Sequence, residues 1–172
     1  MSARIGAIVG EAGDQKQALL WDFIERRRAE GLRVAGLVER HAQSAPAECG
    51  AHDLVDLATG ARFAVAQDLG PGSTACNLDP GGVALACAAA LRAIAAGADV
   101  VVLSKFGKLE TERGGLCDAF AAAVVADLPV LTTLKPLMRP DWARFAGPLS
   151  DELPASRDAI DHWWRGFVRA AA

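Results

Sequence analysis

The sequence lacks the residue spacings of a metal-binding or disulfide-bonded protein. The four cysteines are Cys49, Cys76, Cys87 and Cys117, and the three histidines are His41, His52 and His162. No two cysteines stand at CxxC spacing, and the histidines show no spacing typical of metal ligands. We therefore expect reduced thiols, no bound metal ion and a cytoplasmic location.

Long basic runs and long apolar runs are also missing. The net charge is −3, and the only dense basic run is Arg26, Arg27 and Arg28, which we interpret as the solvated face of a helix. A nucleic-acid partner is therefore not expected. The apolar stretch 83–91 ends at Arg92 and is too short to span a bilayer, so neither membrane insertion nor secretion is expected.

What the sequence does contain is an alternation of short apolar runs with helical patterns. The 172 residues are 52% hydrophobic, enough for one well-buried core, so we expect a single domain over residues 1–172. The predicted strands are 4–9, 34–39, 99–103 and 129–133, with a predicted hairpin of 52–57 and 62–67. The predicted helices are one that ends at Gly31, 83–96, 116–126, a short one near Trp142, and 156–171. This alternation predicts an α/β protein with a mainly parallel sheet.

The segment 98–110, ADVVVLSKFGKLE, combines a buried strand with a polar loop. Its β-branched run is typical of a strand buried on both faces of a parallel sheet. Two lysines, a glycine and a glutamate then follow at the carboxyl end of the strand, where open α/β sheets bind their ligands. This placement indicates a site, but it does not name the ligand.

A second candidate loop follows the first predicted strand. A P-loop needs glycines that turn backbone N–H groups toward a phosphate, a lysine, and a Ser or Thr hydroxyl for magnesium. Gly10, Gly13 and Lys16 stand at workable positions. However, Gln15 replaces the glycine before the lysine, and Gln17 replaces the hydroxyl. The alternative is that this segment is only a strand-to-helix turn.

The magnesium ligands of a P-loop enzyme are missing at the second loop as well. An acidic residue at the end of a later strand normally completes the metal site, and Ser104 and Lys105 stand there instead. Magnesium-dependent hydrolysis of a nucleoside triphosphate is not expected, since the developing charge would lack its counter-ion. If Lys16, Lys105 and Lys108 converge, the site suits a small oxyanion or a phosphate bound without metal. The alternative is that Lys105 and Lys108 are solvated loop charges.

Three further features carry less information. Arg113 could contact an anion at the N-terminus of the next helix, with a solvated arginine as the equal alternative. Cys76 and Asp79 could supply a thiolate and a carboxylate to a metal, but two groups make no site, and a packed loop cysteine is favoured. Trp163 and Trp164 are expected in the core or at a subunit contact.

The order of elements, the segment GEAGDQKQALL, the internal hairpin and the segment VVVLSKFGKLE together resemble the P-loop nucleoside-triphosphatases of thermophile type. Within that group the chain most resembles an uncharacterised bacterial family, a domain of unknown function whose genes often lie beside molybdate-transport genes. The segments that carry this resemblance are RVAGLV (33–38), DLATG (56–60), QDLG (67–70), CNLDP (76–80), KFGKLE (105–110), PVLT (129–132) and WW (163–164). The resemblance covers nearly the whole chain.

The resemblance implies a three-layer, P-loop-NTPase-like α/β fold with an internal β-hairpin. It also implies a ligand site between the two loops, with a degenerate phosphate loop at Gly10, Gly13 and Lys16. Gly107, Lys108 and Glu110 match the Gly-Lys-x-Glu of the triphosphatases, whose acidic pair is replaced here. The predicted phosphate- or anion-binding residues are Gly10, Gly13, Lys16, Ser104, Lys105, Gly107, Lys108, Glu110 and Arg113.

The leading hypothesis is a binding protein for a nucleotide or an oxyanion that acts without magnesium-dependent hydrolysis. By family association it would serve molybdate uptake or molybdenum cofactor metabolism, with a protein partner there. One alternative is a weak nucleoside-triphosphatase or phosphotransfer enzyme. Another is a structural partner of a transporter or cofactor-maturation protein that uses its Ala-rich helices as an interface. The same helices could also form the interface of a homo-oligomer.

Overall fold

The structure of the chain is a computed structural model that describes residues 4–41, 52–67 and 77–170. Its strands are β1 (Ile5–Val9), β2 (Val34–His41), β3 (His52–Asp56), β4 (Arg62–Ala64), β5 (Ala66–Gln67), β6 (Asn77–Leu78), β7 (Val100–Leu103), β8 (Val130–Leu134) and β9 (Ser150–Pro154). Its α-helices are α1 (Gly13–Ala29), α2 (Pro80–Ala95), α3 (Lys108–Thr111), α4 (Cys117–Val125), α5 (Arg139–Ala146) and α6 (Arg157–Ala170). Short 3₁₀ turns, Pro136–Met138 and Gly147–Leu149, flank α5. Among the helices in these ranges, none combines the length and the apolar character needed to cross a bilayer.

Seven of the strands form one sheet in the order β4-β3-β2-β7-β8-β1-β9. The pairs β2–β7, β7–β8, β8–β1 and β1–β9 are parallel, whereas β3 runs antiparallel to both β2 and β4. The antiparallel β3–β4 pair is the internal hairpin that the alternating pattern predicts. The predicted fold class, a mainly parallel α/β sheet with an internal hairpin, is therefore confirmed.

Helices cover both faces of the sheet and give three layers. On one face, Val101 and Leu103 of β7 lie in a core cluster with residues of α2, α4 and α5. On the other face, Val100 and Val102 lie in a cluster with residues of α1 and α6. Successive side chains of a strand point to opposite faces, so a continuous apolar run fits a strand that is buried on both sides.

The carboxyl ends of the central strands meet at one edge of the sheet. The backbone N–H of Gly10, just after β1, donates to the carbonyl of Leu134 at the end of β8, with an N···O distance of 3.3 Å. The N–H of Ser104, just after β7, donates to the carbonyl of Leu37 in β2 at 2.8 Å. These bonds bring the loops after β1 and β7 to the same edge.

Some predicted boundaries need correction. The second strand of the predicted hairpin, 62–67, divides into β4 and β5, and β5 pairs with β6 in a separate two-stranded sheet. Helix α2 begins at Pro80 rather than at residue 83, because Asp79 caps it through a 2.9 Å bond from the Gly81 N–H. Strand β9 and the one-turn helix α3 are additional elements.

The interpretation of the arginine run as a solvated helix face is wrong for Arg27. This side chain is 5% exposed, and its guanidinium lies over the rings of Phe23 and Trp164, at 5.1 and 5.2 Å from their centroids. Trp163 and Trp164 are both buried, so the core interpretation of this pair is confirmed. The arginine stem and its planar head pack well on aromatic faces, which a charge count does not indicate.

Candidate functional site

The loop after β1 leads into the N-terminus of α1, which no described side chain caps. Ala12, the residue before the helix, is extended and has no side-chain oxygen that could cap the first turn. The first N–H groups of a helix have no partner within it, and they carry the positive end of the helix dipole. Since α1 is 17 residues long, its N-terminus presents these N–H groups next to Gly10 and Gly13.

Lys16 is the buried cation of this loop. Its side chain is 4% exposed, and its Nζ donates to the carbonyl oxygens of Gly10 and, at 3.2 Å, of Leu134. Burial lowers the pKa of Lys16, and the ammonium groups of Lys105 and Lys135 lower it further. Lys16 therefore lies in a cationic environment at the sheet edge, where its own partners are neutral carbonyls.

Gln17 links the loop after β1 to the loop after β7. Its Nε2 donates to Ser104 Oγ at 2.7 Å and to Glu39 Oε2 at 3.4 Å. A carboxylate can only accept a hydrogen bond, so the amide nitrogen is the atom that faces Glu39. Gln17 and Ser104 are the two residues expected from the sequence at the magnesium-ligand positions of a P-loop enzyme, and the two side chains bond to each other.

Glu39, near the C-terminal end of β2, also forms an ion pair with Lys105. The Lys105 Nζ lies 3.5 Å from Glu39 Oε1, while the Lys105 side chain is 46% exposed and that of Glu39 is 18% exposed. Sequence reasoning missed Glu39 and Lys135. The positions of both at the carboxyl ends of parallel strands could have indicated them.

The predicted residues of the second loop line a small cavity of about 100 Å³. The polar part of its wall comes from Ser104, Lys105, Gly107, Lys108, Glu110 and Glu39. The apolar part comes from Leu54, Val65, Val83, Leu109 and Leu116. The phosphate-loop residues are not part of that wall as far as the described residues go; Gln17 and Lys105 connect the two groups.

The Glu110 carboxylate is buried and bonded to two backbone N–H groups. It is 6% exposed; its Oε2 accepts from the Gly107 N–H and its Oε1 from the Leu116 N–H, both at 2.9 Å. Burial raises the pKa of Glu110, while these backbone donors act in the opposite direction. The carboxylate thus fixes the shape of the loop that carries Lys105 and Lys108.

The structure places Arg113 apart from the lysines. Arg113 is exposed, has a φ of 62°, and lines a separate cavity of about 770 Å³ between α4 and α5. The helix whose N-terminus it was expected to assist begins four residues later, at Cys117. An anion contact of Arg113 would therefore belong to a different surface.

The Cys76 and Asp79 pair is only partly described. Asp79 is the cap of α2, whereas Cys76, like residues 68–70 of the segment QDLG and Cys49, lies outside the described residues. Among the described residues, no group of three or more His, Cys, Asp or Glu side chains is arranged to hold a metal ion. The thiols of Cys87 and Cys117 have raised pKa values because of burial, and that of Cys117 is raised to about 11.

Comparisons with known proteins place the chain in a wider group. The profile of a family described as "Protein of unknown function (DUF2478)" matches residues 5–163. The Molybdenum import ATP-binding protein ModC 2 of Bradyrhizobium diazoefficiens is 35% identical over 162 residues. The aligned region is 94% of this chain and 18% of that relative, so the chain spans less than a fifth of the relative's length. No solved structure matches the chain.

Proposed function

The chain belongs to the DUF2478 family, and we propose that it is a nucleotide- or oxyanion-binding protein related to P-loop NTPases that works without magnesium-dependent hydrolysis. In this proposal residues 1–172 act as a single degenerate P-loop-like domain. The anion lies at the sheet edge, between the loop after β1 and the segment 104–110. The wording of the relative's name, "Molybdenum import ATP-binding protein", supports both ligand classes.

The observation that carries the proposal is the concentration of lysine charge at this edge. Lys16 is buried with two carbonyl partners, and Lys105 and Lys135 are close enough to lower its pKa. Glu39 and Glu11 act on Lys16 in the opposite direction, but less strongly. A buried ammonium group beside further cations gains free energy from a bound anion, because the anion replaces repulsion with attraction.

The residues at the two metal positions do not fit magnesium. Mg²⁺ takes oxygen ligands, usually one or two carboxylates together with substrate phosphates. Gln17 presents an amide N–H to Ser104, and the nearby carboxylate of Glu39 is paired with the Lys105 ammonium. This arrangement supports binding without the metal on which hydrolysis depends.

The cavity size favours a small oxyanion. Pockets for drug-sized ligands are about 300 to 1,000 Å³, and a water molecule in the liquid takes about 30 Å³. A cavity of about 100 Å³ is thus of the right order for a tetrahedral oxyanion such as molybdate or phosphate. We propose that the chain serves molybdate uptake or molybdenum cofactor metabolism through this site, in contact with a protein partner.

The partner role has an observation of its own. Large apolar side chains are exposed on and around α4 and α5: Val125 is 87% exposed, Leu137 84% and Leu149 44%. Val125 and Leu149 line the same cavity, and exposed apolar side chains that lie together often mark an interaction surface. A structural role in a transporter or maturation complex therefore stands beside the binding function.

A thermal-shift panel tests the proposed function. The ligands are molybdate, tungstate, sulfate, phosphate, ATP and GTP, each with EDTA and with magnesium. A ligand at about a hundred times its Kd adds roughly 2.7 kcal/mol to the free energy of unfolding, which is a shift of several degrees. We expect stabilisation in EDTA by an oxyanion or a nucleotide, and its loss in Lys105→Ala.

The matched control is Arg92→Ala, which removes one exposed positive charge on α2, away from the site. It should keep the thermal shift of the wild type. Stabilisation only by nucleotide with magnesium contradicts the proposal and favours the triphosphatase alternative. The absence of a shift with every ligand favours the structural-partner alternative.

A further inference from the structure

The mismatch with magnesium has a specific geometry around Lys105. In the described structure, Lys105 Nζ lies 3.5 Å from Glu39 Oε1, and Glu39 Oε2 accepts from the amide of Gln17 at 3.4 Å. The same amide donates to Ser104 Oγ at 2.7 Å. The Glu39 carboxylate therefore joins the Lys105 ammonium on one side to the Gln17 amide of α1 on the other, and that amide reaches the Ser104 hydroxyl at the end of β7.

We propose that the Lys105 ammonium is a built-in replacement for a divalent cation, held by Glu39 beside the two former metal positions. This inference rests on the proposed function and names the group that makes it independent of metal. Glu39 orients the positive charge, and the charge faces the cavity that Ser104 and Lys108 also line. The bound anion thus contacts the ammonium of a side chain instead of a metal ion bound from solution.

The exposed fractions of the Glu39 and Lys105 side chains support these different roles of the two residues. Glu39 is mostly buried and Lys105 is about half exposed, so the carboxylate is fixed while the ammonium can turn toward a ligand. An ion pair with one partly exposed member contributes little in water, so an arriving anion can compete for Lys105. The repulsion between Lys105 and Lys16 favours the same move.

Removal of Lys105 should free the Glu39 carboxylate for a metal ion. Glu39 would lose its counter-charge, Ser104 keeps its hydroxyl, and Gln17 Oε1 is buried without a hydrogen-bond partner among the described residues. Mg²⁺ binds one or two carboxylates plus phosphate oxygens. A chain without Lys105 should therefore bind a phosphate better with magnesium than without it.

The experiment is isothermal titration of the full chain with inorganic phosphate and with ATP, each in EDTA and in magnesium chloride. For the wild type we expect the two Kd values of a bound probe to agree within about twofold. For Lys105→Ala we expect binding in EDTA to weaken at least tenfold and magnesium to restore at least fivefold of that loss. Lys105→Arg, which keeps the charge, should stay independent of magnesium. Arg92→Ala is the charge-matched control and should behave as the wild type.

The outcomes separate this inference from the function on which it rests. If the wild type binds neither probe in either buffer, the inference is overturned, and the proposed function falls with it only if molybdate, tungstate and sulfate also give no thermal shift. If the wild type binds a probe in EDTA and Lys105→Ala binds it equally well, only the inference is overturned. The same holds if Lys105→Ala loses binding and magnesium restores none of it, since Lys105 then stands for no cation. Urea unfolding of Lys105→Ala should match the wild type, because the half-exposed side chain adds little to stability.

Discussion

Lys16 is the residue on which the candidate site depends most. Its ammonium is buried and bonded to the carbonyls of Gly10 and Leu134. In a P-loop the equivalent lysine contacts phosphate oxygens. The carbonyl bonds hold the ammonium at the sheet edge. In the proposed function, an anion accepts a hydrogen bond from the same ammonium.

The lowered pKa of Lys16 predicts how anion binding depends on pH. Desolvation is the largest cause, followed by repulsion from Lys105 and Lys135. The protonated form binds the anion, so affinity should fall as pH rises through the pKa of Lys16, which lies below the ordinary 10.5. Titration calorimetry with the bound oxyanion at pH values from 7 to 10.5 measures this loss.

Lys135→Ala provides the internal check of that profile. It removes one of the charges that lower the pKa of Lys16, so the fall in affinity should move to higher pH. A profile that stays flat up to pH 10.5, or one that does not move in Lys135→Ala, contradicts the role of Lys16.

Gly115→Ala tests the structural role of Glu110. Gly115 has a φ of 57°, and an added Cβ would lie 2.1 Å from Glu110 Oε1. The clash should break the bond from the Leu116 N–H and lower the free energy of unfolding by about 1–3 kcal/mol beyond backbone strain. Urea unfolding measures the loss.

The control for Gly115 is Gly31→Ala. Gly31 also has a positive φ, 82°, but an added Cβ there meets no described atom within 4 Å. Both variants share the backbone strain of about 1 kcal/mol that a side chain adds in the left-handed region. Equal losses in the two variants would show that the Glu110 bonds contribute nothing.

For single residues, the sequence indicates which residue types stand at the site better than it indicates which residues they contact. The spacing of Gly10, Gly13 and Lys16 indicates a lysine at the turn between β1 and α1, and anion binding by this turn stays a prediction. The position of Glu39 at a strand end was visible, but its partners were not, because Glu39 stands 65 residues before Ser104 in the sequence and comes near it only through the β2–β7 pairing. The bonds of Glu110 likewise depend on a turn that its own segment does not specify.

At the scale of elements, helix α2 shows a start signal that periodicity alone overlooks. Asp79 caps the helix and Pro80 occupies its first turn. We expect Asp79→Ala to cost about 0.5–2 kcal/mol of stability, since the Gly81 N–H loses its acceptor. Urea unfolding of this variant measures the cost.

Asp79→Ser is the matched variant, because serine also caps helices well. It should recover most of the lost stability. If both variants unfold at the same urea concentration as the wild type, the cap does not stabilise α2.

Strand β9 illustrates an element that local pattern cannot predict. Its sequence, SDELP, is polar and ends in proline, and its burial is confined to Leu153 and, in part, Ser150. Proline and charged residues are typical of an edge strand, where one side of the backbone is left unpaired. The strand exists because β1 pairs with it in parallel, from Ile5 opposite Ser150 to Val9 opposite Pro154.

At the scale of the whole molecule, fold class was predictable and strand order was not. The alternation of strands and helices gives a mainly parallel sheet whatever the order of its strands. The order β4-β3-β2-β7-β8-β1-β9 depends on contacts between distant segments, such as β1 with β8. That order brings the ends of β1, β2, β7 and β8 together and so creates the candidate site.

The arrangement of the two loops and of Arg113 in the folded chain could be predicted only in part. The two loops were predicted to form one pocket. Gln17 of α1 bonds to Ser104, but the cavity lined by residues of 104–110 includes no described residue of the loop after β1. Arg113 lies on another cavity, because the turn between α3 and α4 directs it toward α5. The ends of strands are thus predictable positions, whereas the direction of a loop after a short helix is not.

The most direct test of metal-free anion binding at Lys16 is one calorimetric comparison in EDTA. The wild type and Lys16→Met are titrated with the oxyanion that gives the largest thermal shift, and the wild-type titration is repeated in magnesium. We predict that the wild type binds in EDTA, that magnesium changes its Kd by less than about twofold, and that Lys16→Met binds at least tenfold more weakly. Binding that requires magnesium, or that is unchanged in a folded Lys16→Met chain, would contradict the claim.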